Sequence, residues 1–209
     1  VYDEKIAIPI LLGRRDVILE SMTEIEFEGE DIIIIDPKSD EEEKKRNEYA
    51  EALWKKRSRK GVTLYDAKKI LRERNYFAAM MVEKGDADAM LSGYSRAYPS
   101  VLKPILELIG KENGVTNVAA TNLMNSKRGP IFISDTSINI NPDATVLAKI
   151  AQMTAKTVKM FGIEPVIAMV SYSNFGSSKN PNAIKVKEAV DYLHKNFPEI
   201  AVDGELQVD

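Results

Sequence analysis

Four consecutive isoleucines, Ile32-Ile33-Ile34-Ile35, closed by Asp36-Pro37, constrain this sequence more than any other feature. A β-branched run favours extended backbone, and the proline stops it because it supplies no N–H to a ladder. Apolar side chains on both faces of one strand call for cover on both sides, the situation of a parallel sheet flanked by helices. Further short apolar runs at 8–12, 89–92, 117–120, 131–134, 166–171 and 200–202 read as strands. Ile33, Ile35, Met90, Ile131, Ile133, Ile167 and Met169 are then expected in the sheet core. Helical spacing appears between them at 40–60, 63–73, 77–84, 100–109, 142–161 and 183–195. The alternation predicts an α/β fold with a mainly parallel sheet.

Local signals support the helices. Gly85 and Gly110 stand where C-terminal stops belong. Asn141-Pro142 and Asn180-Pro181 both read as an N-cap followed by proline at the first helical position. The helix at 142–161 carries an inward stripe of Leu147, Ile150, Ala151, Thr154, Val158 and Phe161. The helix at 40–60 has a narrow stripe of Tyr49, Leu53 and Trp54, and its charges read as a solvated face. Met80, Met81, Met153 and Met160 read as core filler. Polar, Gly-flanked residues 110–114 read as a boundary, dividing the chain into lobes at 1–112 and 113–209.

Composition removes several chemistries. There is no cysteine in the 209 residues, so disulfides, thiolate metal sites and thiol catalysis are excluded. His194 is the one histidine, too few for a histidine-based triad or a multi-histidine metal site, and it reads as structural. Formal net charge is -3, with pI near 5.5, which argues against nucleic acid as a partner because no cationic excess replaces phosphate counterions. No apolar run approaches the roughly 18 residues of a membrane span, so a cytoplasmic protein with no membrane partner is expected. The chain opens on Val1 rather than Met and stops at Asp209 in mid-pattern, which reads as a piece of a longer polypeptide.

Three loops could carry chemistry. The first follows Gly85-Asp86-Ala87-Asp88-Ala89-Met90 and contains Ser92, Gly93, Ser95 and Arg96, with Lys103 on the next helix. Such a loop at a strand's C-terminal end is where α/β sheets bind ligands, and the two cations suit a phosphate; an ordinary loop with surface cations is the alternative. In the second, Ile133-Ser134-Asp135-Thr136, Asp135 could orient a ligand or accept a proton, although capping of backbone N–H groups is the preferred reading. The third runs from Ser171 through Ser173, Asn174, Gly176, Ser177 and Ser178 to Lys179 and Asn180. Its N–H groups, hydroxyls and Lys179 could cradle an anion at a helix N-terminus, or it could be a plain capped connection. It lacks the spacing of a Walker loop, and no GxGxxG fingerprint occurs in the sequence.

The order of these segments resembles phosphate acetyl/butyryltransferases, and more closely the phosphotransacetylase-like C-terminal domain of bacterial NADP-dependent malic enzymes. The resemblance is carried by Pro9-Ile10-Leu11-Leu12-Gly13-Arg14, Gly85 to Met90, Phe132 to Thr136, Asn139-Ile140-Asn141-Pro142, Phe161-Gly162-Ile163-Glu164-Pro165, Ser171-Tyr172-Ser173-Asn174-Phe175-Gly176-Ser177 and Val202-Asp203-Gly204-Glu205. Ser-Asn-Phe-Gly-Ser stands where the acyltransferases carry a Ser-Thr-Lys-Gly-Ser-like loop, which favours the malic-enzyme branch. Lys103 replaces the family's arginine, exchanging a bidentate grip on phosphate for a point charge. The family's later acyl-transfer motifs are absent from these residues, so the chain alone is not expected to be a competent transferase.

The resemblance implies two α/β lobes with mainly parallel sheets flanked by helices and a cleft between them, as in phosphotransacetylase and the isocitrate/isopropylmalate dehydrogenases. It implies a regulatory, oligomerising module that binds acetyl-CoA, or acetyl phosphate, through Ser92, Gly93, Ser95, Arg96, Lys103, Asp135, Ser171, Ser173, Asn174, Gly176, Ser177 and Ser178. No catalytic residue and no resident cofactor or metal is assigned. NADP, a divalent metal and the oxidative decarboxylation of malate would belong to N-terminal malic-enzyme domains of the same polypeptide, within a homo-oligomer. An active phosphate acetyltransferase and an oligomerisation scaffold with an empty cleft are the alternatives.

Overall fold

The structure is a computed structural model that describes every residue except Val1, Asp3, 28–31, Ser95 and Asp209. It is a mixed α/β protein, with small sheets flanked by helices, and divides into two compact units, Val1–Lys111 and Glu112–Asp209.

The first unit runs β1 (Ile10–Leu12), α1 (Arg15–Glu24), β2 (Ile33–Ile35), α2 (Glu43–Arg57), α3 (Leu64–Ile70), α4 (Arg74–Lys84) and α5 (Tyr98–Leu108). β1 and β2 pair in parallel, Ile10 opposite Ile33 and Leu12 opposite Ile35. Ile10, Leu12 and Ile35 lean on a core of Tyr49, Leu53, Leu71, Phe77, Met80 and Leu108. Tyr49 and Phe77 meet at 5.2 Å between ring centroids. The helix ends follow local chemistry. Thr63 and Asp66 form a reciprocal capping box at the start of α3, and Glu73 accepts from the N–H groups of Asn75 and Tyr76 at the start of α4. Gly85 closes α4 in the left-handed conformation.

The second unit runs β3 (Thr121–Ser126), β4 (Gly129–Ser134), α6 (Ala144–Met160), β5 (Val166–Val170), α7 (Pro181–Asn196) and β6 (Ala201–Leu206). β3 and β4 form an antiparallel hairpin, while β5 and β6 pair in parallel. Ala148, Ala151, Met169, Val186, Ala189, Val190, Leu193 and Val202 make its core, so α6 and α7 both pack toward the parallel pair. His194 Nε2 donates to the Val202 carbonyl at 2.8 Å, stapling α7 to β6, in keeping with a structural histidine.

Several expectations need correction. Residues 89–92 and 117–120 form no strand, and α1 and β3 carry no signal that the sequence reading used. Ile33, Ile131 and Ile133 are 46%, 50% and 44% exposed rather than core, because each lies in a two-stranded sheet with one face or edge uncovered within its unit. Ile35, Met90 and Ile167 are half-buried and Met169 is buried. The cap of α6 is Asp143, accepting from Val146 N–H at 2.8 Å; Asn141 instead accepts from Lys185 Nζ. Phe161 falls outside the helix and sets its ring edge-on to Phe132 at 5.3 Å. Trp54 and Met160 are exposed, whereas Arg46, on the supposedly solvated face of α2, is buried and donates to the Pro37 carbonyl at 3.1 Å and to that of Ser39.

One close approach decides a residue in β6. A Cβ on Gly204 would lie 2.5 Å from the Met169 carbonyl oxygen across the ladder, closer than any side chain tolerates. Gly204→Ala is therefore expected to destabilise the protein by roughly 1–3 kcal/mol, the usual cost of forcing an atom into a packed site. Urea denaturation followed by far-UV circular dichroism checks this, and an unchanged midpoint would contradict the β5–β6 register.

Candidate functional site

The first candidate segment is anchored from below. Tyr49, buried at the centre of the first core, gives its hydroxyl proton to Asp86 Oδ2, and Lys45 Nζ reaches the same oxygen at 2.8 Å. Lys45 and Tyr49 hold the Asp86 carboxyl below its ordinary range, while burial first and the carboxylate second push the Tyr49 phenol up. Beyond Met90 the chain joins no strand ladder, and Ser92 is held by a side chain instead. Its hydroxyl donates to Asn75 Oδ1 at 2.7 Å, while Asn75 Nδ2 donates to the Ser100 carbonyl at 3.2 Å. Asn75 is buried, so one amide ties the Ser92–Gly93 turn to the first turn of α5. Nothing in the sequence around Asn75 marks this role.

Between these anchors the loop is open. Gly93, Tyr94 and Arg96 are exposed, and Ser95 lies outside the described residues. Lys103 projects from an exposed position on α5. Neither Arg96 nor Lys103 has an ion-pair partner among the described residues, in contrast to Arg57, which grips Glu107 at 2.8 Å.

Asp135 takes the capping role. It accepts from the N–H groups of Ala120, Ser137, Ile138 and Asn139 and from Asn139 Nδ2, at 2.6 to 3.3 Å. Burial alone would raise its pKa; the donors outweigh burial and bring it down to about 2. A carboxylate so engaged is a poor base, and its lone pairs are occupied.

The third loop is wound around an acid supplied by β6. Glu205 on β6 is 1% exposed. Its Oε1 accepts from Gly176 N–H at 2.7 Å and Ser173 Oγ at 3.0 Å, and these donors with its own N–H hold the carboxyl below its usual range. Gly176 sits at φ +84°, a left-handed conformation that aims its N–H inward and favours glycine. Ser171 N–H donates to the Leu206 carbonyl, continuing the ladder past β5. Asn174 and Gln207 exchange two hydrogen bonds, at 2.7 and 3.0 Å, which lock the loop's outer edge to the end of β6. Asn180 then caps α7 through Asn182 N–H, as its sequence signal predicts.

The α/β scaffold thus presents one loop whose cations have no ion-pair partner among the described residues and one loop wound on a buried acid. The whole sequence, residues 1–209, matches the phosphate acetyl/butaryl transferase family, to which the chain belongs. It is 36% identical over 208 residues to the NADP-dependent malic enzyme of Escherichia coli strain K12, covering 98% of this chain and 27% of that enzyme. To the phosphate acetyltransferase of Thermoanaerobacterium thermosaccharolyticum it is 33% identical over 216 residues, covering 100% of this chain and 64% of that protein. A phosphotransacetylase from Streptococcus pyogenes superposes with a TM-score of 0.82 at 38% identity, over 98% of this chain and 62% of that one. The chain thus spans about a quarter of the malic enzymes it matches and just under two thirds of the Thermoanaerobacterium acetyltransferase. Among the described residues no helix is long and apolar enough to cross a membrane, and no cluster of three acidic or histidine side chains is placed to hold a metal ion.

The Asp135 network has a pH signature. Its folded pKa of about 2 lies below the ordinary 3.8, so its contribution to stability is complete above roughly pH 4 and is lost as pH falls toward 2. Allowing for partial exposure, Asp135→Asn should cost roughly 1–2 kcal/mol at neutral pH. The difference from the unsubstituted protein should close between about pH 4 and 2. Chemical denaturation at a series of pH values checks both, and a difference that does not change with pH would contradict the assignment.

Proposed function

We propose that this chain is the phosphotransacetylase-like module of an NADP-dependent malic enzyme, and that it binds acetyl-CoA as an allosteric effector rather than transferring acetyl groups. Oxidative decarboxylation of malate to pyruvate, with its NADP and divalent metal, then belongs to other domains of the same polypeptide. The observation that carries the ligand-binding half is the pair Arg96 and Lys103. Both are exposed, neither has an ion-pair partner among the described residues, and they stand on either side of the α5 N-terminus, after a loop pinned by Asn75. Unneutralised cations on a fixed scaffold suit an anionic ligand such as the phosphates of CoA. The match to malic enzymes over nearly the entire chain, with Ser-Asn-Phe-Gly-Ser in the third loop, supports the regulatory branch.

An active phosphate acetyltransferase is the second reading, favoured by the superposition on a phosphotransacetylase. Lys103 weighs against it, because a lysine cannot clasp a transferring phosphoryl group in the bidentate way an arginine does. On either reading the parent protein is proposed to be a homo-oligomer. The stripe of α6 is spent inside its own unit, whereas Leu123, Met124, Ile131 and Ile133 leave apolar area exposed on the β3–β4 hairpin.

Calorimetric titration of acetyl-CoA into the full malic enzyme tests the main reading. Lys103→Ala should weaken binding by roughly 1–3 kcal/mol, the scale of a hydrogen bond to a charged group. Malate turnover without effector should stay nearly unchanged. Equal affinity in the variant would remove Lys103 from the site, and no binding by the unsubstituted enzyme would overturn the regulatory reading.

A further inference from the structure

From sequence the 171–178 loop reads as either an anion cradle or a plain capped connection, and the hydrogen bonds of its backbone favour the second. Five successive backbone N–H groups are committed inside the unit. Asn174 donates to Ser177 Oγ, Phe175 to the Glu205 carbonyl, Gly176 to Glu205 Oε1, Ser177 to the Asn174 carbonyl and Ser178 to Ser173 Oγ. An oxyanion could claim them only by unwinding the loop.

The hydroxyls have fixed directions. A serine hydroxyl has one proton and two lone pairs. Buried Ser173 gives its proton to Glu205 Oε1 at 3.0 Å, and one lone pair takes the Ser178 N–H at 3.1 Å. The contact between Ser173 Oγ and Ser177 Oγ, at 2.9 Å, must then run with Ser177 as donor. Ser177 is exposed, yet its proton points inward. Its oxygen accepts Asn174 N–H at 3.0 Å and keeps one lone pair facing outward. Beneath the chain lies the Glu205 carboxylate, whose Oε2 is buried with no hydrogen-bond partner among the described residues. Lys187 acts on it only at a distance and is itself paired with Asp191 at 2.9 Å. A buried anion with one oxygen lacking a hydrogen bond, beneath a hydroxyl oxygen with a lone pair to spare, disfavours a phosphate and favours a donor.

We propose that Glu205, acting through Ser173, is a positioning residue that fixes Ser177 as a hydrogen-bond acceptor, so that this loop takes a neutral N–H or O–H donor of the ligand and not an oxyanion. Resting on the reading that the module takes a CoA ester, this assigns the amide-bearing pantetheine arm to the loop and leaves the phosphates to groups outside it.

Two-dimensional amide NMR of the 209-residue chain, titrated separately with pantetheine and with inorganic phosphate, tests the assignment. Pantetheine should shift the amides of Asn174, Gly176 and Ser177, and phosphate should leave them in place. Ser177→Ala should weaken the pantetheine response about tenfold, the loss of one hydrogen bond, and Ser177→Thr should restore it. Glu205→Gln removes the charge but keeps an oxygen for Ser173, so it should weaken pantetheine and admit phosphate. A merely structural residue would leave that preference unchanged. Phosphate shifts at this loop, no response to pantetheine, or an unaltered preference in Glu205→Gln would each overturn the proposal. If Glu205→Gln does not fold, the two Ser177 variants decide it. Acetyl-CoA binding without a response at this loop defeats this inference alone. A pantetheine response without acetyl-CoA binding defeats the regulatory reading and leaves the donor preference standing.

Discussion

Burying a polar side chain is tolerated only where partners replace water, and the candidate loops of this protein are shaped by that requirement. Asn75, Asp135 and Glu205 each sit below a loop and collect donors or acceptors from it. The parallel pairs β1–β2 and β5–β6 are short, with three and five or six residues per strand, and cannot alone hold long connections in one conformation. The buried groups do so. Releasing Asn75 or Glu205 would leave a buried polar atom with nothing to bond, a larger penalty than the gain from the bond itself.

This also explains what was legible in the sequence. Helix ends announce themselves locally: the Asn180-Pro181 start and the Gly85 stop lie where the chain places them. α1 was invisible because Arg14 makes no capping bond and no residue of the helix is buried, so neither cap nor stripe exists to be read. Residues 89–92 have the composition of a strand, but their order comes from Asn75, seventeen positions before Ser92. Glu205 lies 32 positions after Ser173, in a Gly-Glu-Leu stretch that looks like any exposed turn, and only the ladder of β5 with β6 brings the two together. Periodicity reports an element's own faces; it is silent about a side chain whose partner arrives from another element.

The same distinction separates the three loops chemically. In the second loop, the acid that sequence offered as a possible base is saturated with donors, and its low pKa records that saturation. In the first, Arg96 and Lys103 have no ion-pair partner among the described residues, whereas Lys45 pairs with Asp86, Lys56 with Glu83 and Arg57 with Glu107. An exposed cation costs nothing to leave unpaired in water, so Arg96 and Lys103 add no stability that binding would have to surrender. Their field is available to an incoming anion, and salt would weaken it.

The third loop inverts that logic. Here the charge is negative, buried and fixed, and the polar atoms above it are already oriented by it. Reorienting Ser177 to donate outward would break its hydrogen bond to Ser173 Oγ, itself the donor to a carboxylate whose other oxygen has no partner among the described residues. Buried Ser173 would then accept one hydrogen bond fewer, which disfavours the change. On the proposed reading the hydroxyl direction is set by the fold, and a preference for a donor follows from an acid that does not itself touch the ligand.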